Sequence, residues 1–147
     1  MDSREVFNDV LVHLFNEIMR LEEDVIITDE YKDITNNEMH VIDAVGPEGG
    51  NMSAVASKLR ITMGSLTTSM NGLVTKGYVE RQRSEEDRRV VNVRLTEKGL
   101  RAYKKHKEFH MQMIDAMIRT MDEEEIPVLA KALTGLKDFF YQYKREM

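Results

Sequence analysis

The sequence contains no cysteine and no tryptophan, and it has only two prolines among 147 residues. Without cysteine the chain has no disulfide bond, no thiolate metal ligand and no cysteine nucleophile. Its apolar runs are far shorter than the roughly 20 residues that a membrane-spanning helix needs, and its first residues do not resemble a signal peptide. We therefore expect a cytoplasmic protein with a single domain, residues 1–147, and no membrane partner.

The sequence motifs of common enzymes are also missing. There is no phosphate-binding glycine loop, no nucleophile elbow and no pattern of paired buried carboxylates. The acidic cluster at residues 22–24 falls where the solvated face of a helix is expected. We therefore expect neither an enzyme nor a resident cofactor.

Acidic residues are absent from one long stretch of an otherwise acidic chain. The net charge is −5, yet no Asp or Glu occurs between Gly49 and Val79. From Lys58 to Lys107 the sequence has 13 Lys and Arg against 5 Asp and Glu, whereas the remainder has 8 against 21. A basic block in an acidic chain predicts one surface that faces phosphates, with other surfaces that repel nucleic acid.

Residues 52–75 have the pattern of two short helices joined by a tight turn. Val55, Ala56 and Leu59 share one face of the first helix. Thr62 is suited to cap the second helix, and Gly77 is suited to end it. The predicted apolar stripe of this second helix consists of Met63, Leu66, Met70, Leu73 and Val74.

The other side of the second helix carries small side chains that form hydrogen bonds. A helix with short side chains can lie deep in a major groove, where hydroxyls and amides meet base edges and phosphates. An ordinary solvated face is the alternative, but such faces usually carry Glu and Lys. The candidate base-contacting residues are Ser65, Thr67, Thr68, Ser69 and Asn71.

Two alternating strands follow, at residues 78–83 and 90–95, and a charged tip joins them. Asp87 precedes Arg89 by two residues, a spacing that allows the carboxylate to hold the guanidinium with two hydrogen bonds. An arginine oriented in this way suits the narrow minor groove. By itself the pair would be better explained as a surface ion pair, but the preceding helix favours a wing that contacts DNA. Further candidate phosphate contacts are Arg60, Lys76, Arg81, Arg83, Arg88 and Lys98, each of which could instead be a solvated cation.

Long amphipathic helices are predicted on both sides of this module. Residues 4–27 form the first, residues 28–34 a linker, and Thr35 with Glu38 fits a capping box for the next helix. The fold class is therefore mainly α with a small β-wing, a winged helix-turn-helix at 35–96 flanked by dimerisation helices at 4–34 and 97–147. A homodimer would place two recognition helices about 34 Å apart on a palindromic operator.

This arrangement resembles the MarR family of winged-helix transcriptional regulators. The resemblance implies that Arg89 enters the minor groove and that the polar face of the second helix approaches the bases. The phrases that carry it are Thr62-Met63-Gly64-Ser65-Leu66-Thr67, Lys76-Gly77-Tyr78-Val79-Glu80-Arg81, Asp87-Arg88-Arg89 and Leu95-Thr96-Glu97-Lys98-Gly99.

Within that family the chain is most similar to the FabT-type repressors of type II fatty-acid synthesis. The similarity implies that long-chain acyl groups on acyl carrier protein act as corepressor. It is carried by residues 32–35, 38–40, 67–69, 83–91, 109–110 and 121–126.

An apolar wall suited to an acyl chain is one interpretation of the methionines in the helix after the wing; plain core packing is the other. The candidate effector-binding residues are Phe15, Ile18, Met39, Ile42, Phe109, Met113 and Met117.

Three other functions stay open at this point. A small phenolic effector would require a compact pocket with polar ends. A zinc-responsive regulator could use His106 and His110, which are four residues apart on one helix. A winged helix that binds only proteins would have no salt-dependent affinity for DNA.

Overall fold

The structure, a computed structural model, describes residues 2–26 and 30–146. Within these residues the fold is mainly α with a small sheet, as predicted, and no helix is both long and apolar enough for a membrane span. The helical elements are α1 (Ser3–Asp9), a π-helical turn (Val10–Leu14), α2 (Phe15–Ile26), α3 (Asn36–Val45), α4 (Met52–Leu59), α5 (Met63–Thr75), α6 (Glu97–Arg119) and α7 (Glu125–Glu146). The strands are β1 (Gly50–Asn51), β2 (Val79–Arg83) and β3 (Val91–Leu95).

Two compact units make up the chain. The first extends to Phe109 and contains every strand and the helices up to the first half of α6. The second begins at His110 and contains the rest of α6 and all of α7.

The first predicted helix is present but is not uniform. A π-helical turn at Val10–Leu14 separates α1 from α2, and position 27 lies outside the described residues. Asp2 and Glu5 form a capping box at its start, because each side chain accepts from the other residue's backbone N–H. Large apolar side chains on this helix are exposed, including Phe7 at 63% and Phe15 at 65%.

The predicted linker is confirmed at residues 30–34, which form turns without helix or strand, while positions 28 and 29 lie outside the described residues. Tyr31 and Ile34 are each only 3% exposed and join the hydrophobic core. The capping box that follows is confirmed. Glu38 N–H donates to Thr35 Oγ1 at 3.1 Å, and Thr35 N–H donates to Glu38 Oε1 at 3.0 Å.

The predicted helix-turn-helix is confirmed in α4 and α5. Arg60 adopts left-handed backbone angles in the turn, and Thr62 caps α5 by accepting from the Ser65 N–H at 3.1 Å. Leu66, Met70 and Leu73 are completely buried. Met63 was placed wrongly in the apolar stripe, because it is the first residue of α5 and its side chain is 45% exposed.

The wing belongs to a three-stranded antiparallel sheet in the order β1-β3-β2. Val79 pairs with Leu95 and Arg83 with Val91, so β2 and β3 form the predicted hairpin. Strand β1 was not predicted; its Gly50 pairs with Val93. It joins the residues just before α4 to the wing.

A glycine allows α6 to begin directly against the wing. Thr96 caps this helix, accepting from the Gly99 N–H at 3.1 Å. A Cβ added at Gly99 would collide with the backbone carbonyl of Tyr78. The close contact places the first turn of α6 against the residue that links α5 to β2.

Candidate DNA-binding surface

The polar side of α5 presents hydroxyls whose protons are already engaged. Thr67 Oγ1 donates to the Met63 carbonyl at 2.7 Å, and Thr68 Oγ1 donates to the Gly64 carbonyl at 3.2 Å. Both side chains are exposed. Since each hydroxyl donates back into its own helix, its oxygen faces outward as an acceptor, with the threonine methyl beside it.

The tip of the wing holds Arg89 in a fixed position. Its Nε donates to Asp87 Oδ1 and its Nη2 to Asp87 Oδ2, each at 3.1 Å, and its backbone N–H adds a 3.0 Å bond to Oδ1. The hydrogen bond from the Arg89 side chain lowers the pKa of the Asp87 carboxyl. The bidentate pair that the sequence spacing predicted is therefore present, on an exposed tip.

A groove of about 690 Å³ separates the recognition helix α5 from the wing. It brings together four of the predicted site residues, one from the helix and three from the wing. Asn51 and Ser53, at the start of α4, also line it and were not predicted, although the position of Asn51 just before an apolar helical pattern was a signal for a cap. The lining residues are Asn51, Met52, Ser53, Met63, Thr67, Arg81, Arg83, Arg89, Val90 and Val91.

Arg81 connects the wing to the recognition helix. Its Nη1 donates to the Asn71 Oδ1 at 2.6 Å, and both side chains are exposed. Arg83 Nη1 donates to the Arg88 carbonyl at 2.9 Å, which closes the base of the tip. The Arg88 side chain is itself exposed.

Lys76 and Lys98 are held by acidic residues of the protein. Lys76 Nζ lies 2.7 Å from Glu38 Oε1. Lys98 Nζ lies 3.9 Å from Asp33 Oδ2 and 4.4 Å from the centre of the Tyr78 ring. The structure thus gives both cations a role in stabilising the fold. The phosphate contacts that the sequence predicted for them stay a prediction.

Ser65 and Ser69 face a second, smaller groove of about 420 Å³. Ser65 Oγ accepts from the Thr62 hydroxyl at 3.0 Å. The other residues of this groove are Asn37, His40, Val41, Leu59 and Ile61.

The predicted effector residues differ in burial and are divided between the two units. Met39 and Ile42 are completely buried in the core, whereas Phe15 is exposed and Ile18 and Phe109 are half-buried. Met113 and Met117 belong to the second unit.

His106 lies buried between two carboxylates. Its Nδ1 is 2.5 Å from Asp43 Oδ2 and its Nε2 is 3.3 Å from Glu22 Oε1. Burial alone would lower the pKa of His106, but the hydrogen bonds and charges of Asp43 and Glu22 raise it overall. This cluster ties α2, α3 and α6 together inside the first unit.

Comparison with known proteins identifies the family. Residues 25–108 match the family model for the transcriptional regulators SarA and Rot. A structure of Streptococcus pneumoniae FabT in complex with DNA superposes with a TM-score of 0.88 and 42% identity, over 96% of this chain and 99% of that one. A MarR family transcription regulator of 15% identity has the same fold, with a TM-score of 0.79 over 99% of this chain and 96% of that one.

Curated relatives match over a shorter length. The transcriptional regulator SarZ of Staphylococcus haemolyticus is 30% identical over 63% of this chain and 64% of its own. Across the relatives of this kind the chain spans about half to two thirds of their length. All of these proteins are transcriptional regulators, which agrees with the prediction that the chain is not an enzyme. The groove, the capped recognition helix and these matches together show that the chain is a DNA-binding winged-helix transcriptional regulator of the MarR type, within the family that includes SarA and Rot.

Proposed function

We propose that this regulator is a homodimeric repressor of fatty-acid synthesis genes that binds a palindromic operator, with long-chain acyl groups on acyl carrier protein as corepressor. The observation that carries the operator-binding part is the groove between α5 and the wing, where Thr67 meets Arg81, Arg83 and Arg89. A phosphodiester backbone fits the guanidinium donors of this groove, and the outward oxygen of Thr67 can accept from a base edge. The fatty-acid part is supported by the 42% identity with FabT over nearly the whole chain.

Exposed apolar side chains support the homodimer. In the first unit they follow one long helix, at Val6, Phe7, Leu11, Leu14 and Phe15. In the second unit they lie along α7, at Val128, Leu133, Phe139, Phe140 and Tyr143. Burying such side chains removes apolar surface from water, which drives most stable protein association.

The two roles of the regulator are assigned to different parts of the chain. Residues 4–34 and 97–147 provide most of the dimer interface, and residues 35–96 bind DNA. A second copy of the chain is the occupant that we propose for both exposed apolar surfaces.

The corepressor is tested by measuring the affinity for operator DNA. A duplex of about 30 base pairs, close to three helical turns, is first selected from a randomised pool with the purified protein. Its Kd is then measured by fluorescence anisotropy with hexadecanoyl-acyl carrier protein and, as the control, with acyl carrier protein that carries no acyl chain. We expect the acylated form to lower the Kd at least about tenfold, a coupling free energy of about 1.4 kcal/mol. Equal Kd values with both forms would remove the fatty-acid part of the proposal.

Two alternative effectors, zinc and salicylate, are tested in the same titration. Zinc is the second candidate, because Glu22 and His106 are potential ligands that lie 3.3 Å apart in the first unit. Salicylate represents the phenolic class. A change in Kd that occurs only with zinc, or only with salicylate, would replace acyl carrier protein as the effector.

A further inference from the structure

We infer that Arg81 holds Asn71 as a hydrogen-bond donor, so that this pair selects base pairs that present acceptors in the major groove. The inference rests on the proposed binding of a specific operator. It specifies which kind of base edge one position of the recognition helix recognises.

The orientation of the Asn71 amide follows from the chemistry of its partner. Arg81 Nη1 lies 2.6 Å from Asn71 Oδ1. A guanidinium has five N–H donors and no acceptor, so the amide must turn its oxygen towards Arg81 and its NH2 group away. No hydrogen bond of the Asn71 NH2 group is found within residues 2–26 and 30–146.

This orientation changes which base the asparagine can recognise. A free asparagine pairs with adenine, accepting from N6 through its oxygen and donating to N7 through its nitrogen. Here the oxygen is already engaged, and the positive guanidinium beside it repels a second N–H donor. The remaining N–H groups of Asn71 and Arg81 are all donors. Guanine presents two acceptors in the major groove, O6 and N7, and is therefore the base that fits.

The neighbouring position has the opposite polarity. Thr68 lies three residues before Asn71 on the same side of the helix, and its hydroxyl proton is engaged by the Gly64 carbonyl at 3.2 Å. Its oxygen accepts, and its methyl can contact the thymine methyl. The helix thus offers an acceptor at Thr68 and a donor at Asn71. An operator half-site should therefore present a donor to Thr68 and an acceptor to Asn71.

The test compares base preferences among variants. Operators are selected from the same randomised duplex pool with the wild type, Arg81→Met, Asn71→Asp and the control Arg94→Met. Arg94 lies on β3, is exposed and pairs with Glu80 at 2.8 Å, so the control removes an equal charge from the same sheet. The far-ultraviolet circular dichroism of each variant confirms that it is folded.

For the wild type and Arg94→Met we expect a guanine at one position of each half-site. Replacing that guanine with adenine should raise the Kd about tenfold or more, and 7-deazaguanine, which lacks N7, should also raise it. For Arg81→Met and Asn71→Asp the Kd for the adenine duplex should exceed the Kd for the guanine duplex by only about twofold or less.

The inference would be overturned if Arg81→Met kept the base preference of the wild type and lost affinity equally for all duplexes. Arg81 would then contact only phosphate. A protein that enriches no sequence and binds DNA without salt dependence would overturn the proposed function itself. The two failures are distinguished by whether the wild type selects an operator.

Discussion

Glu38 on α3 and Lys76, which directly follows α5, form an ion pair with 2.7 Å between Oε1 and Nζ. The same Glu38 oxygen accepts from the Thr35 N–H in the capping box of α3. A Cβ added at Gly72 would lie 2.9 Å from the other carboxylate oxygen. One carboxylate therefore joins the start of α3 to the end of the recognition helix, and the glycine makes room for it.

Removing the charge of this carboxylate should cost stability. The Glu38 side chain is 9% exposed and that of Lys76 is 30% exposed, so water screens their attraction only in part. Glu38→Gln keeps the capping box, because glutamine serves there equally well, and should lower the free energy of unfolding by about 1–2 kcal/mol. Urea denaturation measures the difference.

An exposed ion pair between β2 and β3 provides the control. Glu80 and Arg94 are 56% and 75% exposed, and Glu80→Gln should change the free energy of unfolding by less than about 0.5 kcal/mol. Equal effects of Glu38→Gln and Glu80→Gln would show that the Glu38–Lys76 pair does not anchor the recognition helix.

The buried His106 should make stability depend on pH. The pKa of His106 is raised above its ordinary value of 6.5, since the hydrogen bonds and charges of Asp43 and Glu22 outweigh the lowering effect of burial. Protonated His106 therefore stabilises the fold fully below pH 6.5, and this stabilisation is lost as the pH rises through the folded pKa. The stability advantage of wild type over His106→Gln should shrink from about pH 6.5 upwards.

Urea denaturation of both proteins across this range measures the advantage. His13→Gln is the control, because the His13 side chain is 73% exposed. A proton NMR titration of His106 in the wild type gives its pKa independently of the variant. A folded-state pKa at or below 6.5 would contradict the prediction.

The wing arginine should contribute to DNA affinity and little to stability. Arg89 is exposed and its bidentate partner Asp87 is its neighbour on the tip. Arg89→Ala should weaken operator binding about tenfold and reduce the slope of log K against log salt by about one ion. It should lower the free energy of unfolding by less than about 0.5 kcal/mol. Arg94→Ala removes the same charge from β3 and is the control. Identical Kd values and salt slopes for Arg89→Ala and wild type would show that the tip does not touch DNA.

The features that the sequence predicted well depend on residues close together in the chain. The caps at Thr35 and Thr62 and the Asp87–Arg89 pair each join residues two or three positions apart. Such contacts follow from residue type and spacing alone. The helix-turn-helix and hairpin followed from the switch between helical and alternating apolar patterns.

The features that could not be predicted from the sequence depend on tertiary packing. Strand β1 has only two residues and exists because Gly50 meets Val93 of the wing. Tyr31 and Ile34 become core residues in a segment without helical or strand periodicity. The partner of Lys76 lies 38 positions away, and that of Arg81 lies 10 positions away on another element, so no local pattern predicts either.

The arrangement of two chains on one duplex is the central claim, and analytical ultracentrifugation of the protein with its selected operator tests it most directly. We expect two chains per duplex, and we expect binding to be abolished when about five base pairs, half a helical turn, are inserted between the half-sites. A complex of one chain per duplex, or an affinity that does not respond to the insertion, would contradict the central claim.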